Sequence, residues 1–206
     1  MQDWTKDEKG IYLPPTSPMV IDVPEFRYFT ITGEGNPNSE SYAERVAVLY
    51  ALSYGIKMSP KKGLAPKNYE EYKVYPLEGV WDVIDPAKAY INGAINKDNL
   101  KYKIMIRQPD FVAEEFAQEI IELTKKKKPE LSFEGASFEI MTDGKCVQML
   151  HVGSYDAEPA SFALMEQFAE EQGLQRESKV HKEIYLSDPR RVAAEKLKTV
   201  LRFKVY

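Results

Sequence analysis

The chain has 206 residues, 43% of them apolar and 29% charged, with a net charge of −4. That length serves one large domain or two halves sharing a core, and the acidic balance gives no global field for nucleic acid. No stretch approaches the roughly 20 apolar residues of a membrane span; residues 1–7 lack the basic-then-apolar order of a signal peptide, and one cysteine with two histidines argues against a disulfide framework or a transition-metal site.

Residues 1–25 carry Pro14, Pro15, Pro18 and Pro24 without periodicity and read as an extended arm that either packs onto the domain or stays loose. Residues 26–33, aromatic and β-branched, read as a strand broken by Gly33-Glu34-Gly35. Ser39 then caps a helix over 40–54, with Val46, Leu49, Tyr50 and Ser53 on one face and Gly55 as its stop. Residues 57–67 read as a loop. Residues 72–83 read as a strand pair or one bent strand, Pro76 and Gly79 marking an edge or a bulge. Residues 102–107 alternate as a strand. Asp110 caps a helix over 111–127 with Val112, Phe116, Ile120 and Leu123 as its stripe. Its terminal lysines, 125–128, suit a helix C-terminus better than a binding patch.

In the second half, residues 132–141 read as a connecting strand and Thr142-Asp143-Gly144-Lys145 as a type I′ hairpin turn. A strand over 146–153, a loop over 154–159, a helix over 160–171 with Phe162, Met165, Phe168 and Ala169 inward, and strands over 182–186 and 198–205 complete the chain. Strand, helix, strand, strand thus occurs twice. The expected fold is α+β, made of tandem βαββ repeats with pseudo-two-fold symmetry and a ligand cleft between the halves. Its parts are an N-terminal arm (1–25), a first half (26–108), a bridging helix (109–130) and a second half (131–206) of one domain.

Alternation puts Glu183 and Tyr185 on one face of their strand, opposite Lys182, Ile184 and Leu186. On an exposed surface the glutamate is one member of a cross-strand ion pair; on an inner face it is a charge in an aromatic cleft. The residues alone leave both open. Glu78 is likewise either a surface charge or a second cleft carboxylate, and Trp81 a core or cleft-wall aromatic. The 12% aromatic content, with thirteen tyrosines, allows a polar aromatic cavity as well as an aromatic core rim. Cys146 reads as a small buried hydrophobe, and Arg190-Arg191 as a solvated pair.

Gly153 with Tyr155, Lys182-Glu183-Ile184-Tyr185 followed by Pro189, and Tyr75-Pro76-Leu77-Glu78-Gly79-Val80-Trp81 together resemble the GyrI-like small-molecule-binding family. That family is related to SOUL haem-binding proteins and to the effector domains of multidrug regulators. The resemblance implies a cytoplasmic, stand-alone member that takes planar lipophilic or electrophilic toxins in an aromatic cleft around a glutamate. Hydrolysis of cyclopropane-bearing DNA-alkylating compounds is the activity it points to. Glu183 would act as general base, with Tyr185 or Tyr155 donating a hydrogen bond, while Glu78, Trp81, Tyr75, Phe162 and His151 would line the ligand site. The alternatives are a drug-binding or sensor module without turnover, or a gyrase-interacting protein. Met149 and His151 could suggest haem by analogy with the SOUL branch, but His151 reads as an ordinary strand residue and no cofactor or metal is expected. A small-molecule ligand is the expected partner, with no direct nucleic acid, no membrane, and a monomer or homodimer as the assembly.

Overall fold

A computed structural model describes residues 1–206. In chain order the elements are one-turn helices α1 (Trp4–Asp7) and α2 (Lys9–Tyr12), strand β1 (Met19–Glu34), helix α3 (Glu40–Lys57), strand β2 (Leu77–Val83), a short hairpin of β3 (Tyr90–Ile91) and β4 (Ala94–Ile95), strand β5 (Leu100–Gln108), helix α4 (Glu114–Lys127), strand β6 (Ala136–Val152), helix α5 (Glu158–Glu171), and strands β7 (His181–Tyr185) and β8 (Lys198–Lys204). The class is α+β, as expected. No helix is long and apolar enough to cross a membrane.

The chain divides into two compact units. The first comprises Met1–Gln2, Phe26–Tyr75 and Trp81–Met141. Its strands run in the order β1-β5-β2, with β1 and β5 antiparallel from Arg27 opposite Gln108 to Glu34 opposite Lys101. Phe29 and Ile31 of β1, Ile104 and Ile106 of β5, Leu49, Leu52 and Ile56 of α3, and Ile120 of α4 are all buried.

Ser39 caps α3 as the sequence predicts, its hydroxyl accepting from the Tyr42 amide at 3.3 Å. The expected stop at Gly55 is wrong: α3 continues to Lys57. A Cβ at Gly55 would lie 2.8 Å from Ile120 Cγ2, so this glycine admits a side chain of α4 rather than ending the helix. The buried face, Val48, Leu49, Leu52, Ser53 and Ile56, is rotated from the expected one, and Tyr50 is exposed. Alanine normally stabilises a helix interior over glycine by about 1 kcal/mol. Here Gly55→Ala is expected to lower the melting temperature instead, because the added methyl meets Ile120 Cγ2.

α4 also departs from expectation. It starts at Glu114, with Ala113 rather than Asp110 at the cap, and buries Ala117, Ile120, Ile121 and Thr124 while Leu123 is exposed. Residues 109–112 instead form a turn closed by the Val112 amide on the Pro109 carbonyl, and two glutamates in the first turn suit the positive helix end.

The second unit comprises Asp3–Glu25, Pro76–Val80 and Thr142–Tyr206. Here β8 lies between β6 and β7, antiparallel to both, and β7 is followed by β2. Val147, Met149, Leu201, Phe203 and Val205 pack against Met165 and Ala169 of α5. The N-terminal arm packs onto the rest of this unit, one of the two outcomes its sequence leaves open. Asp3 accepts from the Thr5 amide to start α1, and the Leu150 amide donates to the Pro15 carbonyl at 2.8 Å. Pro24 lies inside β1, ahead of the residues paired with β5, where a missing N–H is tolerated.

The expected hairpin at 142–145 does not form, because β6 runs through it. Gly144 takes φ +69°, which bends the strand without reversing it. Asp143 is held by Lys182 Nζ at 2.8 Å and Arg202 Nη1 at 3.1 Å. Burial works against its charge, but these two cations keep the Asp143 carboxyl below the usual range. Glu78 Oε2 lies 3.4 Å from Lys182, and Arg202 also donates to Gln148 and to the Ile11 carbonyl. A buried polar cluster thus ties β2, β6, β7, β8 and the arm together within this unit.

Candidate functional site

β7 sets the centre of the site. Its alternation holds: Lys182 joins the buried cluster just described, while His181, Glu183 and Tyr185 project to the other face. Glu183 is 9% exposed. Its Oε2 accepts from the Tyr185 hydroxyl at 2.8 Å, and its Oε1 lies 3.0 Å from His181 Nε2. The Phe162 ring meets the His181 ring edge-on at 4.7 Å, and Tyr155 stands perpendicular to Tyr185 at 6.0 Å. The structure therefore brings Glu183, Tyr185, Tyr155 and Phe162 into one group.

A second carboxyl completes it. Glu158 opens α5 and is 6% exposed. Burial, then the neighbouring Glu183 carboxylate, then Asp156, drive its carboxyl far above the ordinary range. Two neighbouring buried carboxyls cannot both be charged at low cost, so the pair retains a proton at neutral pH. Glu158 Oε1 is buried and has no hydrogen-bond partner. Burial and the adjacent carboxylates push the Tyr155 phenol up to about 12, so it remains a donor. The site offers a protonated acid, a carboxylate with two fixed hydrogen-bond partners and a neutral phenol within one aromatic surround: the components of an acid–base site.

Sequence reading missed Glu158 by placing residues 154–159 in a loop. The available signal was Pro159, which fits the first turn of a helix as well as the end of a loop. It missed His181 for lack of a partner visible in sequence.

Of the other candidates, Glu78 is almost fully buried and faces Lys182, whose neighbour Glu183 points the opposite way. His151 is buried and has a protein partner at each ring nitrogen. Trp81 and Tyr75 belong to the first unit. Trp81 packs with Tyr42 and Tyr102, and Tyr75 lies against the Arg107 guanidinium, which Phe26 covers at 3.4 Å. Cys146 is buried with its thiol pushed up to about 11, chiefly by desolvation, and is not a nucleophile at neutral pH. No group of three or more His, Cys, Asp or Glu side chains is gathered to hold a metal ion. A cavity of about 350 Å³ beside α5 is lined by Glu166, Leu174, Arg176 and Lys179, among others. Its charges are already matched, Arg176 and Lys179 lying 2.6 and 2.7 Å from Glu166.

The raised Glu158 pKa has a consequence for stability. In a folded state that binds this proton more tightly than the unfolded chain, the proton's contribution is complete below the unfolded value of about 4.3 and is lost as pH rises toward the folded value. Glu158→Gln removes that dependence. Relative to wild type, the variant should gain at most about 1.4 kcal/mol per pH unit through this window, measured by urea unfolding at several pH values.

The profile of the GyrI-like small molecule binding domain matches residues 16–205. Among solved structures, a hydrolase from Listeria innocua is similar at 37% identity with a TM-score of 0.89, each chain covered in full. A conserved protein from the same organism, itself uncharacterized, is similar at 38% identity with a TM-score of 0.90, again over the whole of both chains. No curated protein matches.

Proposed function

The chain belongs to the GyrI-like small-molecule-binding family, and from that premise we propose that it captures planar, lipophilic, electrophilic compounds and hydrolyses cyclopropane-bearing DNA alkylators in the cytosol. The observation that carries the proposal is the pair of buried carboxyls Glu158 and Glu183, in which Glu183 accepts from Tyr185 and burial beside Glu183 raises the Glu158 pKa. The name hydrolase on a structure that is 37% identical supports turnover.

The chemistry is the addition of one water to a cyclopropane conjugated to a dienone. Glu183 takes a proton from water as its oxygen bonds to the ring methylene. The strained carbon–carbon bond breaks and its electron pair moves through the conjugated system to the carbonyl oxygen, which receives the Glu158 proton and becomes a phenol. The proton gained by Glu183 then passes to Glu158, restoring the pair. Tyr155, a neutral donor at physiological pH, can stabilise the developing oxyanion. Phe162 with Tyr155 and Tyr185 supplies aromatic faces for a flat ligand. The tandem βαββ organisation belongs to the same reading; its support is that each unit orders its three long strands first, third, second along the chain.

The test is incubation of the full chain with a cyclopropane-bearing alkylator, following the ring-opened alcohol by mass spectrometry. Formation above the buffer rate is expected. Binding without product would leave a drug-binding module and remove the catalytic reading.

A further inference from the structure

His151 of β6 has a carbonyl on one side and a hydroxyl on the other. Its Nε2 lies 3.0 Å from the Ser154 carbonyl oxygen and its Nδ1 lies 2.8 Å from Ser161 Oγ. A carbonyl only accepts, so Nε2 carries hydrogen in the neutral ring and Nδ1 accepts from the Ser161 hydroxyl. One imidazole therefore pins both ends of a short segment. Ser154 begins the loop that carries Tyr155, and Ser161 lies one helical turn beyond Glu158 in α5. The loop also turns closely over the ring: a Cβ at Gly153, where φ is +150°, would lie 3.2 Å from Nε2. His151 and Ser161 are both buried, so these bonds are shielded from competing water.

We propose that His151 is a positioning residue, which through Ser154 and Ser161 sets Tyr155 and Glu158 against Glu183. This rests on the reading of Glu158 and Glu183 as the reacting pair, and it turns an expected ligand-lining histidine into a brace behind the site. The charged side chains that act on Glu158 are of like sign, Glu183 from β7 and Asp156 from the preceding turn. Without an external hold, repulsion and hydration would draw it outward.

The substitutions separate the two ends of the brace. Asparagine at 151 can keep an acceptor near the Nδ1 position, and glutamine can keep a donor near Nε2. Ser161→Ala removes the hydroxyl, and Ser161→Thr retains it. The first readout is the titration of Glu158 by carboxyl carbon NMR in full-length protein labelled at glutamate, which needs no turnover. Ser161→Ala and His151→Gln should lower the Glu158 midpoint by about one pH unit or more, as the carboxyl gains water. His151→Asn and Ser161→Thr should stay nearer wild type. The second readout is kinetic: kcat should fall about 10- to 100-fold in Ser161→Ala while KM changes less than about threefold, the pattern of misplaced reacting groups. An unchanged midpoint and kcat in folded Ser161→Ala overturns the proposal. If the wild-type protein shows no turnover, the catalytic reading falls, while the NMR comparison still decides whether His151 positions Glu158.

Discussion

Glu183→Gln is expected to abolish most turnover while keeping ligand affinity within about threefold, because the amide preserves shape and a hydrogen-bond acceptor but cannot take a proton from water. The loss should be about 10²- to 10⁴-fold in kcat, the usual range for a general base. The substitution has a second effect. The Glu183 carboxylate is among the causes that hold the Glu158 proton, so the variant should also lower the Glu158 pKa, and its residual activity should fall at lower pH than in wild type. Glu158→Gln should also lose activity, since the amide has no acidic proton for the developing phenol. Because the carboxyls act as a unit, the double variant should be little worse than either single one. Normal turnover in Glu183→Gln would remove the carboxylate from the chemistry.

The other large effect is on stability. Lys182→Met should leave Glu78 and Asp143 with one fewer cation in a buried place, costing about 3–5 kcal/mol and many degrees of melting temperature. Replacing Glu78 by glutamine as well should recover part of that loss. The cluster also fixes a direction for acid unfolding. The folded-state pKa of Asp143 is depressed, so its contribution is complete above the unfolded Asp value of about 3.9 and is lost as pH falls through the folded value. Asp143→Asn should therefore show lower stability at neutral pH and a shallower decline on acidification, measured by thermal unfolding. Lys182 and Glu183 are adjacent, so a loosened β7 would disturb the site as well. A loss of activity in Lys182→Met that tracks the loss of folded protein is the expected form of that coupling.

Local chemistry was the legible part of this molecule. Ser39 caps the helix it precedes because a serine hydroxyl next to free amides has one evident use. The alternation of β7 foretold that Glu183 and Tyr185 share a face, since the period of a strand depends on nothing distant. Two misreadings have one origin: a residue with a strong local preference was taken for its usual role while a distant partner assigned it another. Gly55 was read as a helix stop, but Ile120 needs the space. Asp143-Gly144 was read as a hairpin turn, but Lys182 and Arg202 capture the aspartate and keep the strand running. A third was local: Pro159 was read as the end of a loop, but it sits in the first turn of α5, which hid Glu158. The acid partner of Glu183 thus stayed out of sight until α5 and β7 were placed together.

Hydrolysis at the paired carboxyls is most directly tested by incubating wild type and Glu183→Gln with a cyclopropane-bearing alkylator in water enriched in heavy oxygen, with mass analysis of both the small molecule and the protein. The predicted result is a ring-opened alcohol carrying one heavy oxygen, formed by wild type well above the buffer rate, formed about 10²- to 10⁴-fold more slowly by Glu183→Gln, and accompanied by no adduct on the protein. Product at the buffer rate from wild type, or a stable covalent adduct in place of free alcohol, would contradict it.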